Sequence, residues 1–329
     1  MGTRRASAPP KTDAVKASPA MSDVADPDRV ARTLSAAPQT DIGRRLRRNP
    51  GVVIGATILA LVLLIALAAP WLGTVDPAAI NPAVRNKLPG YEEVVHNADG
   101  SESTLVHRMG TDTLGRDVYS RVAYGARASL LVGASVALIG VAIGLVIGLL
   151  AGYIRWLDGI VMRVMDGLMA IPAILLAIAV VSLSSAGLLA VIIAIVIPEI
   201  PRVVRLVRSV VLSVREEPYV EAAISVGTPT LPLIVRHILP NTVPPLIVQA
   251  TYIAASAILI EAILSFLGVG IPPQTPTWGN IMAEGRSLFR VFPHNILYPG
   301  VLLALTVLAV NMLGDGLRDT LDPRLSRRE

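Results

Sequence analysis

Residues 128–154 read ASLLVGASVALIGVAIGLVIGLLAGYI, a stretch of 27 residues that contains no charged side chain. A helix needs about 20 apolar residues to cross the hydrocarbon layer of a bilayer, so this stretch is long enough for one crossing. Further charge-free blocks of similar length occupy residues 51–75, 167–198, 238–260 and 295–314. These blocks predict a protein that spans the membrane several times.

The overall composition agrees with a membrane protein. Of the 329 residues, 53% are apolar and 16% are charged, whereas a soluble domain is usually about 25% charged. A soluble enzyme and a disordered chain are therefore excluded as descriptions of the whole chain. Arginines flank the apolar blocks and do not gather on one face, so nucleic acid is not an expected partner.

The block at 167–198 contains a Ser/Gly-rich turn and is counted as two helices. The blocks together then predict an all-α polytopic membrane protein with six transmembrane helices. Their expected positions are roughly 52–72, 128–152, 160–181, 188–206, 244–268 and 297–314. Pro172, Pro198 and Pro201 lack a backbone donor and are expected to kink or end the third and fourth helices. If residues 160–206 crossed only once, the arginine-rich segment after them would lie outside the cell.

Arginine clusters orient the predicted helices, because cytoplasmic segments carry an excess of Lys and Arg. Four arginines precede the first helix, and others follow the fourth and sixth helices. Both termini are therefore predicted to be cytoplasmic. The predicted parts are a disordered tail at 1–43, a transmembrane domain at 44–325 with an extracytoplasmic segment at 73–127 and a cytoplasmic segment at 207–241, and a C-terminal tail at 326–329.

Four glycines recur at every fourth position of the second predicted helix, namely Gly140, Gly144, Gly148 and Gly152. At about 100° per residue they form one slowly drifting stripe without side chains. Small residues allow helices to approach closely in lipid, so the stripe predicts a tight helix–helix contact. A role in lining a path through the bilayer is the alternative.

Glu261 lies well inside the fifth predicted helix. A charge near the bilayer centre costs about 2.5–3.5 kcal/mol on insertion scales. Glu261 is therefore expected to face the bundle interior or a pore, or to be protonated. A structural carboxylate is one interpretation, and a proton relay is the other.

The sequence offers no recognisable catalytic, metal-binding or nucleotide-binding chemistry. It has no cysteine, its four histidines are scattered without metal-ligand spacing, and its three lysines follow no glycine-rich phosphate loop. No Ser/His/Asp spacing suggests a nucleophile. We therefore expect no catalytic residue, no metal, no cofactor and no enzymatic activity in this chain.

Residues 217–241 read EPYVEAAISVGTPTLPLIVRHILPN. Pro218 suits the first turn of a helix, and Gly227 is expected to end that helix before a second short one. The pattern predicts two short helices joined at a glycine. Such a shape either fits a groove in a partner or is an ordinary connector.

Residues 107–130 combine apolar residues at helical spacing with arginines between them. Val118, Val122 and Leu130 would share one face, with Arg116 and Arg121 elsewhere. This pattern predicts an amphipathic helix lying on the outer membrane surface, either as a docking site or as a lid over the bundle.

The cytoplasmic segment resembles the EAA motif of ABC-importer permeases. The matching residues are Glu221, Ala222, Ala223, Gly227, Leu239 and Pro240. Three other stretches, at 107–130, 264–280 and 313–325, are similar to the C-type permease subunit of dipeptide and oligopeptide importers. Together the resemblance covers roughly residues 44–325.

The resemblance implies an inner-membrane permease of a bacterial transporter, paired with a second permease as a heterodimer. Two ATP-binding subunits inside and a peptide-binding protein outside would complete it. The EAA segment would be the coupling loop, in which Glu221 contacts an ATPase and Gly227 allows the turn between the two short helices. Ala222 and Ala223 would keep the first of these helices narrow enough to fit the ATPase. Leu239 and Pro240 would complete the motif.

Several rival functions remain open at this point. Permeases similar to this one also carry nickel or glutathione. An ion-coupled secondary transporter would act alone, but such proteins are typically built from internal repeats, and no clear repeat is seen. A membrane-embedded enzyme would need a catalytic constellation that the sequence does not offer.

Overall fold

The computed structural model describes residues 42–96, 101–184 and 187–321. The helices are α1 (Ile42–Arg48), α2 (Pro50–Ala68), α3 (Val118–Tyr153), α4 (Arg155–Met169), α5 (Ala173–Leu183), α6 (Leu188–Arg215), α7 (Pro218–Ser225), α8 (Thr230–Leu233), α9 (Leu239–Phe266), α10 (Trp278–Gly285) and α11 (His294–Leu321). A π-helical turn, Ile234–Ile238, joins α8 to α9. The C-terminal tail predicted at 326–329 lies outside the described residues, as does the N-terminal tail except for residues 42 and 43, which belong to α1.

The predicted polytopic, mainly helical membrane architecture is confirmed, but the count of six transmembrane helices is not. Among the described residues, four helices are long and apolar enough to cross a membrane, namely Pro50–Trp71, Val118–Tyr153, Thr230–Phe266 and His294–Leu321. The bent pair α4 and α5 provides a fifth if it forms one span. The remaining predicted helix is present as α6, but Glu199, Arg202 and Arg205 lie within its first eighteen residues.

The extracytoplasmic segment predicted at 73–127 contains a β-hairpin, which departs from the all-α prediction. Strand β1 (Tyr91–His96) pairs antiparallel with β2 (Glu102–His107), so that Tyr91 lies opposite His107. Alternation of side chains in so short a pair is a weak sequence signal. The hairpin was therefore not visible from hydrophobic periodicity.

The prediction of an amphipathic surface helix at 107–130 is wrong. Helix α3 already begins at Val118, where the Asp117 side chain accepts a hydrogen bond from the Ser120 N–H at 2.7 Å. Val118 and Val122 are buried as the pattern suggested, but Arg121 is buried as well. The arginine can leave water because carboxylates inside the protein lie close to its guanidinium.

Pro172 breaks the helix predicted at 160–181, as expected. Helices α4 and α5 meet at an angle of 88°, and Pro172 is the N-cap of α5. A proline has no N–H to donate to the preceding helical turn, and its ring collides with a backbone carbonyl of that turn. Pro198 and Pro201, in contrast, lie inside the continuous helix α6.

The main core lies among α3, α5, α6 and α9, and the contact of α3 with α6 is its most extensive. Three of the glycines in the predicted stripe lie against a matching row of valines on α6. A Cβ on Gly144, Gly148 or Gly152 would lie 2.5–2.7 Å from the Cβ of its valine partner. The partners, in that order, are Val203, Val207 and Val211.

The remaining glycine of the stripe, Gly140, takes no part in this contact. A Cβ on Gly140 would have no neighbour within 4 Å. We call the contact of Gly144, Gly148 and Gly152 with the three valines the glycine–valine seam.

We expect Gly148→Ala to destabilise the protein, because the new methyl group would overlap Val207 and force α3 away from α6. Overpacking of this kind typically costs about 1–3 kcal/mol. The thermal unfolding midpoint in detergent should fall for this variant. Gly140→Ala is the matched control, since its methyl group would enter open space. Equal midpoints for the two variants would contradict the seam.

Candidate functional site

The segment between α6 and α9 folds into two short helical pieces, α7 and then α8 with its π-helical turn, as predicted. Helix α7 starts at Pro218, a position where the backbone N–H has no helical partner in any case. Val220 is fully buried and belongs to the main core, while Glu221 and Ala222 are exposed. The buried Val220 and the half-buried Ala223 therefore hold α7 against the bundle, while Glu221, Ala222 and Ile224 remain accessible.

Gly227 ends α7 in the left-handed region, with φ of +77°. Its N–H donates to the Ile224 carbonyl at 2.9 Å, and the Thr228 N–H donates to the Ala223 carbonyl at 3.1 Å. This pair of hydrogen bonds is a Schellman motif, which closes the helix with a residue that is usually glycine. A Cβ on Gly227 would meet nothing within 4 Å, so the preference for glycine here comes from the left-handed backbone and not from close packing.

A small polar cluster ties α7 to the beginning of α9. The Asn241 side-chain amide donates to the Tyr219 hydroxyl at 3.0 Å and to the His237 carbonyl at 2.7 Å. The Tyr219 and His237 rings lie 6.3 Å apart. The sequence pattern did not reveal this cluster, although a polar residue directly after Leu239 and Pro240 was an available signal.

The six motif residues do not form one compact patch. Leu239 is half-buried and Pro240 is exposed at the first turn of α9, while the Glu-Ala-Ala triplet lies on α7 and is exposed apart from the half-buried Ala223. What the segment does present is exposed apolar surface, from Tyr219, Ile224, Val226, Leu231 and Val235. Exposed apolar groups outside the lipid typically mark a contact with another protein.

Glu261 lies in α9 with no exposed surface. Its carboxylate accepts hydrogen bonds from Ser265 at 2.8 Å and from Ser129 at 3.5 Å. These hydroxyls come from α9 and α3. Glu261 thus joins two helices of the bundle, and the structure places it among packed helices.

A buried ion cluster that sequence reasoning missed holds the N-terminal end of α3. Arg116 bonds Asp112 through Nε at 2.7 Å and also bonds Glu284 of α10. Arg121 lies 3.4 Å from Glu284 and 3.6 Å from Asp112. Burial raises the pKa of Glu284, and the charges of Arg121 and Arg116 act in the opposite direction. Glu284 is too distant in sequence from both arginines to be paired with them by inspection.

His107 links the hairpin to the N-terminal end of α3, next to this cluster. Its Nδ1 lies 2.9 Å from Asp117, and its Nε2 lies 2.9 Å from Glu93 of β1. Both carboxylates thus face the ring, which is almost fully buried.

Within the described parts of the chain, no group of three or more His, Cys, Asp or Glu side chains has the geometry of a metal site.

Comparison with protein families gives two matches. Residues 140–327 match the binding-protein-dependent transport system inner membrane component, and residues 38–89 match the N-terminal transmembrane domain of oligopeptide transport permease C. Among solved structures, the inward-facing MetNI methionine ABC transporter has a similar fold. Its TM-score is 0.50 at 21% identity, over 61% of this chain and 96% of that one.

Curated relatives match along most of their length. A probable peptide ABC transporter permease of Sinorhizobium fredii is 52% identical over 87% of this chain and 93% of that protein. A dipeptide transport permease of Alkalihalophilus pseudofirmus is 39% identical, over 88% and 90% of the two chains. A glutathione transport permease of Escherichia coli is 40% identical, over 88% and 91%.

The buried ion cluster predicts a clear stability difference between two arginines. Arg116→Met should lower the thermal unfolding midpoint strongly, because it leaves Asp112 and Glu284 without this partner. Breaking a buried pair from one side typically costs about 3–5 kcal/mol. Arg108→Met is the control, since Arg108 is exposed and lies over the Tyr119 ring. A midpoint for Arg116→Met as high as that of the control would contradict the cluster's structural role.

Proposed function

The chain belongs to the family of binding-protein-dependent inner membrane transport components, the permeases of ABC importers, and on this premise we propose that it carries short peptides. It is a multi-pass inner-membrane subunit and not an enzyme. The names of the relatives support di- or oligopeptides as cargo. Glutathione, itself a small peptide, is the second candidate because one relative of similar identity carries it.

Family membership implies a second permease, ATPase subunits and a binding protein as partners. In the arrangement that we propose, this chain and a different permease each form half of the translocation pore. Two ATP-binding subunits hydrolyse ATP on the cytoplasmic side, and a peptide-binding protein delivers cargo from outside. With α6 and the bent pair α4 and α5 each counted as one crossing, six crossings put both termini on the same side of the membrane. The arginines before α2 favour the cytoplasm as that side.

Helix α7 is the proposed docking element for an ATPase subunit. The observation that carries this proposal is its combination of one buried anchor, Val220, with exposed motif residues on its other faces. Glu221 would contact the ATPase, and Ala222 and Ala223 would keep the helix narrow. Gly227 would set the direction of the chain after α7, and Leu239 and Pro240 would begin the helix that receives the motion.

A physical path leads from α7 into the membrane. Val220 packs in the same core as Val211 and Val214 of α6 and Leu246 of α9. A displacement of α7 would therefore move the inner ends of both helices. An ATPase biases the pore only through contacts that differ between its two states, and α7 offers surface for such contacts. An ion-coupled transporter would leave this exposed segment unexplained.

Substitution at Gly227 tests the coupling role. Gly227→Val should keep membrane insertion but reduce ATP-dependent uptake about tenfold or more, because a β-branched residue strains the left-handed turn. Gly227→Asn is the matched control and should retain most uptake, since asparagine tolerates this backbone region. Uptake and ATP hydrolysis would be measured together in proteoliposomes with all partner subunits. Wild-type uptake by Gly227→Val would contradict the coupling role.

The cargo is tested with the same complete transporter. Labelled dialanine and labelled glutathione would be offered with the binding protein and ATP, and separately with a proton or sodium gradient and no ATP. We expect ATP-dependent uptake of dialanine. Uptake of glutathione but not of dialanine would favour the second candidate, whereas uptake under an ion gradient without ATP would support a secondary transporter.

A further inference from the structure

Helices α4 and α6 carry a row of ion pairs that neither the motif nor the family match explains. Glu199 accepts from Arg202 at 3.0 Å, Asp166 accepts from Arg205 at 2.5 Å, and Asp158 accepts from Arg208 at 2.6 Å. The last of these pairs lies close to the start of α4, and the first lies halfway along α6. We call these six residues the charged row.

Two arginines near the middle of α6 and their carboxylate partner near the end of α4 are exposed. The side chains of Arg202, Arg205 and Asp166 are 48%, 43% and 59% exposed. Arg202 is the fifteenth of the 28 residues of α6, so it lies about 20 Å from either end of the helix. With α6 counted as a membrane helix, as proposed above, a charge that faced lipid near the bilayer centre would cost about 2.5–3.5 kcal/mol. This face of α6 must therefore meet water or another protein.

The broken helix beside the row supports water. Residues 170–172, between α4 and α5, are exposed, and Ile171 is among them. Non-helical backbone at membrane depth is tolerated where it is buried in protein or lines a water-filled cavity. Asp166 lies only one turn before this break. An exposed break and exposed charges thus share one wall.

The contact between α6 and α3 determines the direction in which the charged face of α6 points. The seam holds the opposite side of α6 against α3 through Val203, Val207 and Val211. Rotation of α6 would overlap these valines with the backbone of α3. Glu199 is fully buried, and its two oxygens accept from Arg202 at 3.0 and 3.1 Å, with Ser256 at 3.3 Å. Glu199 is thus a positioning residue for the Arg202 guanidinium.

We propose that Arg202, Arg205 and Asp166 form a site on the wall of the translocation path that binds the charged termini of a zwitterionic peptide. This inference rests on the peptide cargo proposed above. A guanidinium matches a carboxylate with two parallel hydrogen bonds, so the arginines would receive the C-terminal carboxylate. Asp166 would receive the N-terminal ammonium. The existing pairs keep these groups satisfied when no peptide is present.

A charge swap separates recognition from structure. In the complete transporter, Asp166→Arg combined with Arg205→Asp keeps an ion pair but reverses its polarity. We expect assembly and ATP hydrolysis to persist, while dialanine uptake falls about tenfold or more, the effect of losing one charge-assisted hydrogen bond. The matched control is Asp158→Arg with Arg208→Asp, a less exposed pair on the same two helices, and it should retain uptake.

Each other outcome overturns the proposal in a distinct way. If the wild-type complex imports no dialanine, the peptide cargo fails and the site falls with it. If wild-type uptake is normal and the Asp166/Arg205 swap is equally active, the site alone is wrong. Equal losses in both swaps would assign the row a structural role. Failure of the first swap to assemble with the second permease would make the row a subunit contact.

Discussion

The close approach of α3 to α6 is the constraint on which the other features of this protein depend. Lipid provides little hydrophobic drive between helices, so van der Waals packing of small residues against a neighbour stabilises the pair. Because the seam buries one side of α6, the side that carries Arg202 and Arg205 must face away from α3. Helix α7 follows only two residues after α6 ends, so the position of the exposed segment also depends on the seam.

Local signals in the sequence predicted local features well. The charge-free blocks identified the apolar helices, Pro172 marked a real break, and Gly227 marked a real turn, because each of these effects is determined by residues close in sequence. The six-helix count was less secure. Helix α6 is amphipathic and charged, and its membrane placement depends on what covers its polar side.

Features that depend on distant partners were missed. Arg116 and Glu284 are 168 positions apart, and no periodicity links them. Without that pairing, the spacing of Arg116 and Arg121 is typical of the solvent-exposed face of a surface helix. Similarly, Gly140 belongs to the same sequence stripe as Gly148, yet only the latter meets a valine. A stripe predicts that a contact is possible, while the neighbouring helix determines how far it extends.

The central claim is that α7 transmits motion from a cytoplasmic ATPase. The chain contains no cysteine, so Ala222→Cys would introduce a single reactive thiol on the exposed side of α7. Its most direct test is thiol cross-linking of this variant in the assembled transporter. The account predicts a cross-link to an ATP-binding subunit and no labelling by a membrane-impermeant reagent added to intact spheroplasts. Labelling from outside, or a cross-link to the binding protein, would contradict it.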